Sequence, residues 1–297
     1  MNRRAGVVVA GALALALSLS LAGCGRLNPY AGRATVVAAF YPLAYVAQRI
    51  VGRHATVLDL THPGIDPHDL ELTVRQTAEV ADAEVAFYET GLQPAVDQAV
   101  AQTSPAHTVD AADSARLVDA PGGDELDPHF WLDPTRLADV ASAFEQTMSV
   151  ADPRHAADFA RNLAALRKDL SSLDGRIRHG LAHCATRTIV VSHDAFGYFG
   201  RRYHLRVVAI NGLSPDAEPS PEHVAQLTRL VHTDAVTTVF SEELGSSKMA
   251  DVLAHETGVH SAVLDPIEGL GPATADQDYL SLMRRDLAAI EEANQCT

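Results

Sequence analysis

Basic residues are scarce in this 297-residue chain: 23 arginines and lysines, only two of them lysine, stand against 38 aspartates and glutamates, for a formal charge of -15. Setting aside the first two dozen residues, which hold Arg3 and Arg4 and no acid, takes the charge from -15 to -17. So acidic a balance repels a phosphate backbone, which argues against nucleic acid as a partner. The acidity suits a protein that meets cations, yet an ordinary solvated surface explains it equally well, so charge decides nothing about metal. Motifs of hydrolytic chemistry are also missing. There is no His-Glu-x-x-His helix and no Gly-x-Ser-x-Gly elbow, and Ser192-His193-Asp194 cannot form a triad because consecutive side chains point in different directions. No low-complexity run or short tandem repeat is present.

Cysteine is nearly absent, and its three copies are informative for that reason. Arg3 and Arg4 precede an apolar run over 7–21, of signal-segment length and short for a membrane span, which closes in Leu21-Ala22-Gly23-Cys24. The tetrad resembles the lipobox of bacterial lipoproteins. That resemblance implies a signal peptide over 1–23, acylation of Cys24, a spacer over 24–33, and a folded part that works outside the cytoplasm, tethered to the outer face of the membrane. Two cysteines remain, Cys184 and Cys296, an even count in an oxidising compartment. A disulfide between them is expected, two buried thiols being the alternative.

Beyond the spacer, short β-branched runs alternate with helical patterns. Strands are expected over 35–39, 56–60 and 84–88, with helices over 43–51 and from the Thr73 cap to about residue 81, an alternation that predicts a parallel sheet covered by helices on both faces. Asp133-Pro134 and Asp152-Pro153 read as two helix starts. From the second runs the strongest periodic signal, with Phe159, Leu163, Leu166, Leu170, Leu173, Ile177 and Leu181 in steps of three or four. A helix of roughly thirty residues, rising about 1.5 Å each, would form a seam across most of the molecule. The alternation then resumes, with strands over 188–191, 206–210, 236–240 and 261–264 and helices over 220–231, 246–257 and 278–292. The reading is α/β: two similar lobes with mostly parallel sheets joined by one long rigid helix, divided as 34–151, 152–183 and 184–297.

Ligands of open parallel sheets bind beyond the carboxyl ends of the strands. His193 directly follows the strand over 188–191, His68 lies in the turn-rich loop after 56–60, Asp265 follows 261–264, and His129 precedes the capped helix at Asp133. Three imidazoles and a carboxylate converging there would form a set suited to Zn²⁺, whereas Mn²⁺ prefers more oxygen. On these residues alone, loop histidines bonded to backbone are the competing reading.

The segments Pro63-Gly64-Ile65-Asp66-Pro67-His68, Asp127-Pro128-His129-Phe130-Trp131-Leu132-Asp133-Pro134, Ser192-His193-Asp194-Ala195-Phe196-Gly197-Tyr198-Phe199 and Leu264-Asp265-Pro266 occur in that order. Together they resemble the zinc- and manganese-binding lipoproteins of bacterial ABC importers, the cluster A-I solute-binding family, from about residue 35 to the end. The resemblance implies a metal in the cleft between the lobes, held by His68 and His129 from the first and His193 and Asp265 from the second. In manganese-type members the third position resembles a glutamate where this chain has His193, which favours zinc, with Mn²⁺ as an in vitro ligand. It departs from some zinc-type relatives in having a short acidic stretch over 119–127 instead of a long His-rich loop. Water in place of Asp265 is an alternative fourth ligand, and Glu242 and Glu243 read as partners that orient an imidazole, or as a polar helix cap.

The expected function is capture of zinc by a non-enzymatic monomer that passes it to an ABC importer permease and takes it directly or from a zinc chaperone. The alternatives are a manganese or iron importer component, a metal-dependent surface adhesin and a zinc hydrolase. Because ligating imidazoles must be neutral, affinity is expected to fall below about pH 6.5. The disulfide makes its own prediction: without reductant, alkylation should leave the mass of the folded chain unchanged, while after reduction Cys184 and Cys296 should both be modified.

Overall fold

The computed structural model describes residues 34–120, 123, 125–215 and 217–297, so the expected signal, Cys24 and spacer lie outside the described residues. Strands β1 (Ala34–Ala38), β2 (Ala55–Asp59), β3 (Val85–Tyr88) and β4 (His107–Asp110) form one sheet in the order β2-β1-β3-β4, parallel throughout. Val36, Val37, Ala38, Val85, Ala86 and Phe87 are buried, as central strands covered on both faces must be. Helices α1 (Tyr41–Val51), α2 (Val74–Ala81), α3 (Pro94–Thr103) and α4 (Ala111–Ala115) connect or follow these strands. α2 starts where the sequence predicts, because Thr73 and Gln76 form a reciprocal capping box. A short antiparallel hairpin, β5 (Val118–Asp119) with β6 (Leu126–Asp127), brackets the acidic stretch, and a 3₁₀ turn over Phe130–Leu132 leads into α5 (Pro134–Ala151).

The long helix α6 spans Ala156–Gly180, beginning three residues later than Asp152-Pro153 suggests. The intervening residues turn, with the His155 amide on the Asp152 carbonyl and His155 Nδ1 2.6 Å from Asp152 Oδ2. Phe159, Leu166, Leu170, Leu173 and Ile177 form its buried stripe, which packs on α1 and α5 and on the C-terminal helix α10 (Tyr279–Ala293), so α6 joins the halves.

The second sheet contains β7 (Thr188–Val191), β8 (Arg206–Ala209), β9 (Thr238–Ser241) and β10 (His260–Val263), again parallel, in the order β8-β7-β9-β10. Its strands repeat the spatial order of the first sheet, which makes the lobes topologically alike. Helices α7 (Gly197–Tyr203), α8 (Pro221–Thr233) and α9 (Lys248–Thr257) complete this half, α9 ending at Gly258 in the left-handed region, φ 72°. The Cys184–Cys296 disulfide ties the C-terminal tail to the segment between α6 and β7. Among the described residues no helix is long and apolar enough to cross a membrane.

Polar contacts lock the halves together. Asp174 on α6 is buried and accepts from Arg202 Nε at 2.8 Å and from the Tyr203 hydroxyl at 3.1 Å, while Arg202 also lies 3.5 Å from Asp133 at the cap of α5. Burial pushes the Asp174 carboxyl up, but Arg202, Tyr203 and Arg178 outweigh it and hold it below the usual range. A depressed folded value means the stabilisation is present above the ordinary carboxylate pKa and is lost as pH falls through the depressed one. Asp174→Ala should therefore cost about 2 kcal/mol at neutral pH by chemical denaturation, and the gap to the native protein should narrow in acid.

Candidate metal centre

The first lobe supplies two imidazoles and the second lobe one, from loops at the carboxyl ends of their strands, and local turns fix their aim. In the first lobe, Gly64 at φ 87° lets the Pro63-Gly64 turn form, and Asp66 caps a 3₁₀ turn over Pro67–Asp69 by accepting the His68 amide at 2.9 Å. The Asp127 carboxylate does two jobs for His129: Oδ1 accepts the backbone amide at 3.0 Å and faces Nδ1 at 2.9 Å. With Nδ1 turned to that carboxylate, Nε2 is the ring nitrogen left to face inward. In the second lobe, His193 follows β7, and its Nδ1 stands 2.8 Å from Glu242 Oε1, close but out of line for a good hydrogen bond. Glu242, at the end of β9, also accepts the Ser192 hydroxyl.

The fourth member is Glu268, in the loop between β10 and α10. Its Oε1 lies 3.2 Å from Nε2 of His129, 3.2 Å from Nε2 of His193 and 3.7 Å from Nε2 of His68; the His129 and His193 Nε2 atoms are 3.4 Å apart. His129, His193 and Glu268 are buried and His68 is half-buried, and one donor atom from each of the four lies within 4.8 Å of the others. A tetrahedron whose corners sit about 2.05 Å from its centre has edges of about 3.3 Å, the size of a zinc coordination shell. His68 Nε2 and Glu268 Oε1 are buried without a hydrogen-bond partner among the described residues. Donor chemistry, spacing and orphaned atoms all fit a small divalent cation.

The three histidines singled out in the sequence come together here, whereas Asp265 does not join them. Its Oδ1 accepts the Ile267 amide at 2.8 Å and its Oδ2 lies 3.2 Å from Arg285, so both oxygens are engaged away from the imidazoles. Glu268 was missed because it follows no strand directly and belongs to none of the recognised segments. Its only signal was being the next acid after Asp265 in that loop. Glu242 stands beside His193, while Glu243 turns away, 3.7 Å from Arg285.

Electrostatics agree with a cage built for positive charge. Burial opposes protonation of His193, but Glu242 and Glu268 push its pKa up to about 10. His129 is raised as well, burial being outweighed by Asp127 and Glu268. Burial would raise Glu268, yet the three imidazoles hold it well below the usual carboxylate range. Without a cation, protons take its place, so a metal on the Nε2 atoms must expel them. Competition therefore starts well above pH 6.5, where the sequence placed it. Competitive titration against a metal indicator should show weaker binding at pH 6 than at pH 8, by about tenfold per pH unit for each proton displaced; equal affinities would contradict the geometry.

Comparison with known proteins is consistent with this centre. The family model described as zinc-uptake complex component A, periplasmic, matches residues 36–293. The zinc-binding lipoprotein AdcA of Streptococcus pneumoniae strain R6 is 31% identical over 302 residues, covering 94% of this chain and 60% of that protein. The chain thus spans about three fifths of that relative's length. The high-affinity zinc uptake system protein ZnuA of Bacillus subtilis strain 168 is 28% identical, covering 87% of this chain and 86% of that one. The crystal structure of the Zn(II)-bound ZnuA-like domain of S. pneumoniae AdcA superposes with a TM-score of 0.77 at 31% identity, covering 89% of this chain and 99% of the domain.

Proposed function

The chain belongs to the family of the periplasmic zinc-uptake complex component A, and from that premise we propose that it captures one Zn²⁺ outside the cytoplasm and delivers it to an ABC-type importer in the membrane. The observation that carries this reading is the convergence of one donor atom each from His68, His129, His193 and Glu268 to within 4.8 Å of one another, with Glu268 Oε1 3.2 Å from Nε2 of His129 and of His193. Three nitrogens and one oxygen suit zinc better than manganese, which favours a more oxygen-rich set. A closed set of four protein donors suits capture, because a catalytic zinc keeps a position open for water.

In this reading Glu268 is the fourth ligand. Asp127 and Glu242 orient His129 and His193, and Asp265 shapes the loop that presents Glu268. The units 34–151, 152–183 and 184–297 act as first lobe, linking helix and second lobe, so that a cation drawing ligands from both lobes staples them together. The importer would release it by separating the lobes. Cleavage after residue 23 and acylation of Cys24 would tether the monomeric protein to the outer face of the membrane, with the 24–33 segment as its leash.

Metal analysis of the purified mature protein should find one zinc per chain. His193→Ala and Glu268→Ala should each weaken zinc binding by more than the roughly 10- to 100-fold typical of losing an orienting partner, whereas Asp265→Asn should cost less. A larger loss in Asp265→Asn than in Glu268→Ala would reverse the assignment of the fourth ligand.

A further inference from the structure

Glu268 lies in a segment without regular secondary structure, and its Oε1 has no hydrogen bond among the described residues to hold it in place. Beside that oxygen, among the described residues, stand only the imidazoles it faces, so the backbone that carries the side chain sets where it points. The residue before it, Ile267, is wholly buried and sits at φ 58°, a left-handed conformation that β-branched residues adopt only when their surroundings impose it. Two contacts impose it. Asp265 Oδ1 accepts the Ile267 amide at 2.8 Å, and the Pro266 carbonyl accepts the indole Nε1–H of Trp131 at 2.7 Å.

Trp131 belongs to the other lobe. It lies two residues after His129, is wholly buried, and meets the His129 ring edge-on with centroids 5.3 Å apart. Phe40, just beyond β1, packs edge-on against it at 5.0 Å, and the Trp131 carbonyl accepts the Tyr279 hydroxyl of α10 at 2.6 Å. A second clasp lies on the far side of Glu268, where the Gly64 amide donates to the Leu270 carbonyl at 2.8 Å. The segment bearing Glu268 is part of the second half of the chain, yet it is fastened to the first lobe on both sides.

We propose that Trp131 is the positioning residue for Glu268: its indole N–H grips the Pro266 carbonyl across the lobes, holds Ile267 in its left-handed turn and so aims the carboxylate at the three imidazoles. The proposal rests on the four-donor reading of the site. It makes Glu268 a ligand that is correctly placed only while the lobes are docked, so that parting them withdraws a ligand as well as dividing the histidines.

The test is a double-mutant cycle on the full mature chain with zinc and cobalt(II) as probes. Trp131→Phe keeps an apolar ring and removes the donor, and the thermal melt of the metal-free protein verifies its folding. In the native background it should weaken zinc binding about 10- to 100-fold and reduce the intensity of the cobalt ligand-field bands as four-coordinate geometry is lost. In a Glu268→Ala background it should cause no further loss, since the group it positions is gone. Tyr279→Phe, which frees the Trp131 carbonyl, should give a smaller change with the same dependence on Glu268 and serves if Trp131→Phe does not fold. Equal losses in both backgrounds, or native affinity and cobalt bands in Trp131→Phe, would overturn the proposal. Zinc binding unaffected by Glu268→Ala alone would instead strike at the four-donor reading, and the proposal would fall with it.

Discussion

Burial of unpaired donors is the constraint on which the rest of this structure depends. Three imidazole nitrogens and a carboxylate oxygen are held a few ångströms apart, out of water, with His68 Nε2 and Glu268 Oε1 lacking hydrogen-bond partners among the described residues. Such an arrangement is costly unless positive charge sits among the donors. The surrounding protein is organised to prevent relaxation: Asp127 pins His129, Glu242 stands behind His193, and the Glu268 loop is fastened on both flanks. An empty cage can relieve itself only by taking protons or by parting its lobes.

The fold supplies the convergence. Each sheet has the order second, first, third, fourth strand, which places a switch point between its first and third strands. His193 and Glu242 stand just beyond β7 and β9, on either side of the switch point in the second lobe. The corresponding ground in the first lobe is taken by Phe40 and the buried Glu89, and the imidazoles there come instead from the β2 loop and from the turn before α5. Two similar lobes thus contribute by different routes, and the long helix α6, packed on α1, α5 and α10, sets the distance between them.

Much of this was legible in the sequence because local physics and global fold agree. Continuous β-branched runs gave the central strands to within a residue or two, and the Thr73 and Asp133 caps marked real helix starts. The stripe from Phe159 to Ile177 is indeed a buried seam. The three histidines stood out at strand ends and before a cap, but position left loop histidines bonded to backbone as a rival, and it was the resemblance of the segments around them that marked them as a metal set. What escaped was set by tertiary contact. The strand β4 opens with His107 and Thr108 and is not an apolar run; the hairpin β5–β6 pairs only two residues a side; and α6 starts late because His155 turns back on Asp152. Asp265 looked like a ligand because it follows a strand, yet its carboxylate serves the turn at Ile267. Nothing local distinguishes Glu268 as the inward-facing acid, since its direction is fixed by a tryptophan more than a hundred residues away.

The central claim is a four-donor shell of three imidazoles and one carboxylate oxygen, and zinc K-edge X-ray absorption on the loaded protein tests it most directly. The account predicts four nitrogen or oxygen neighbours at about 2.0–2.1 Å, with outer-shell scattering that requires three imidazole rings. A shell of five or six light atoms with only two imidazoles, or any sulfur neighbour, would contradict it.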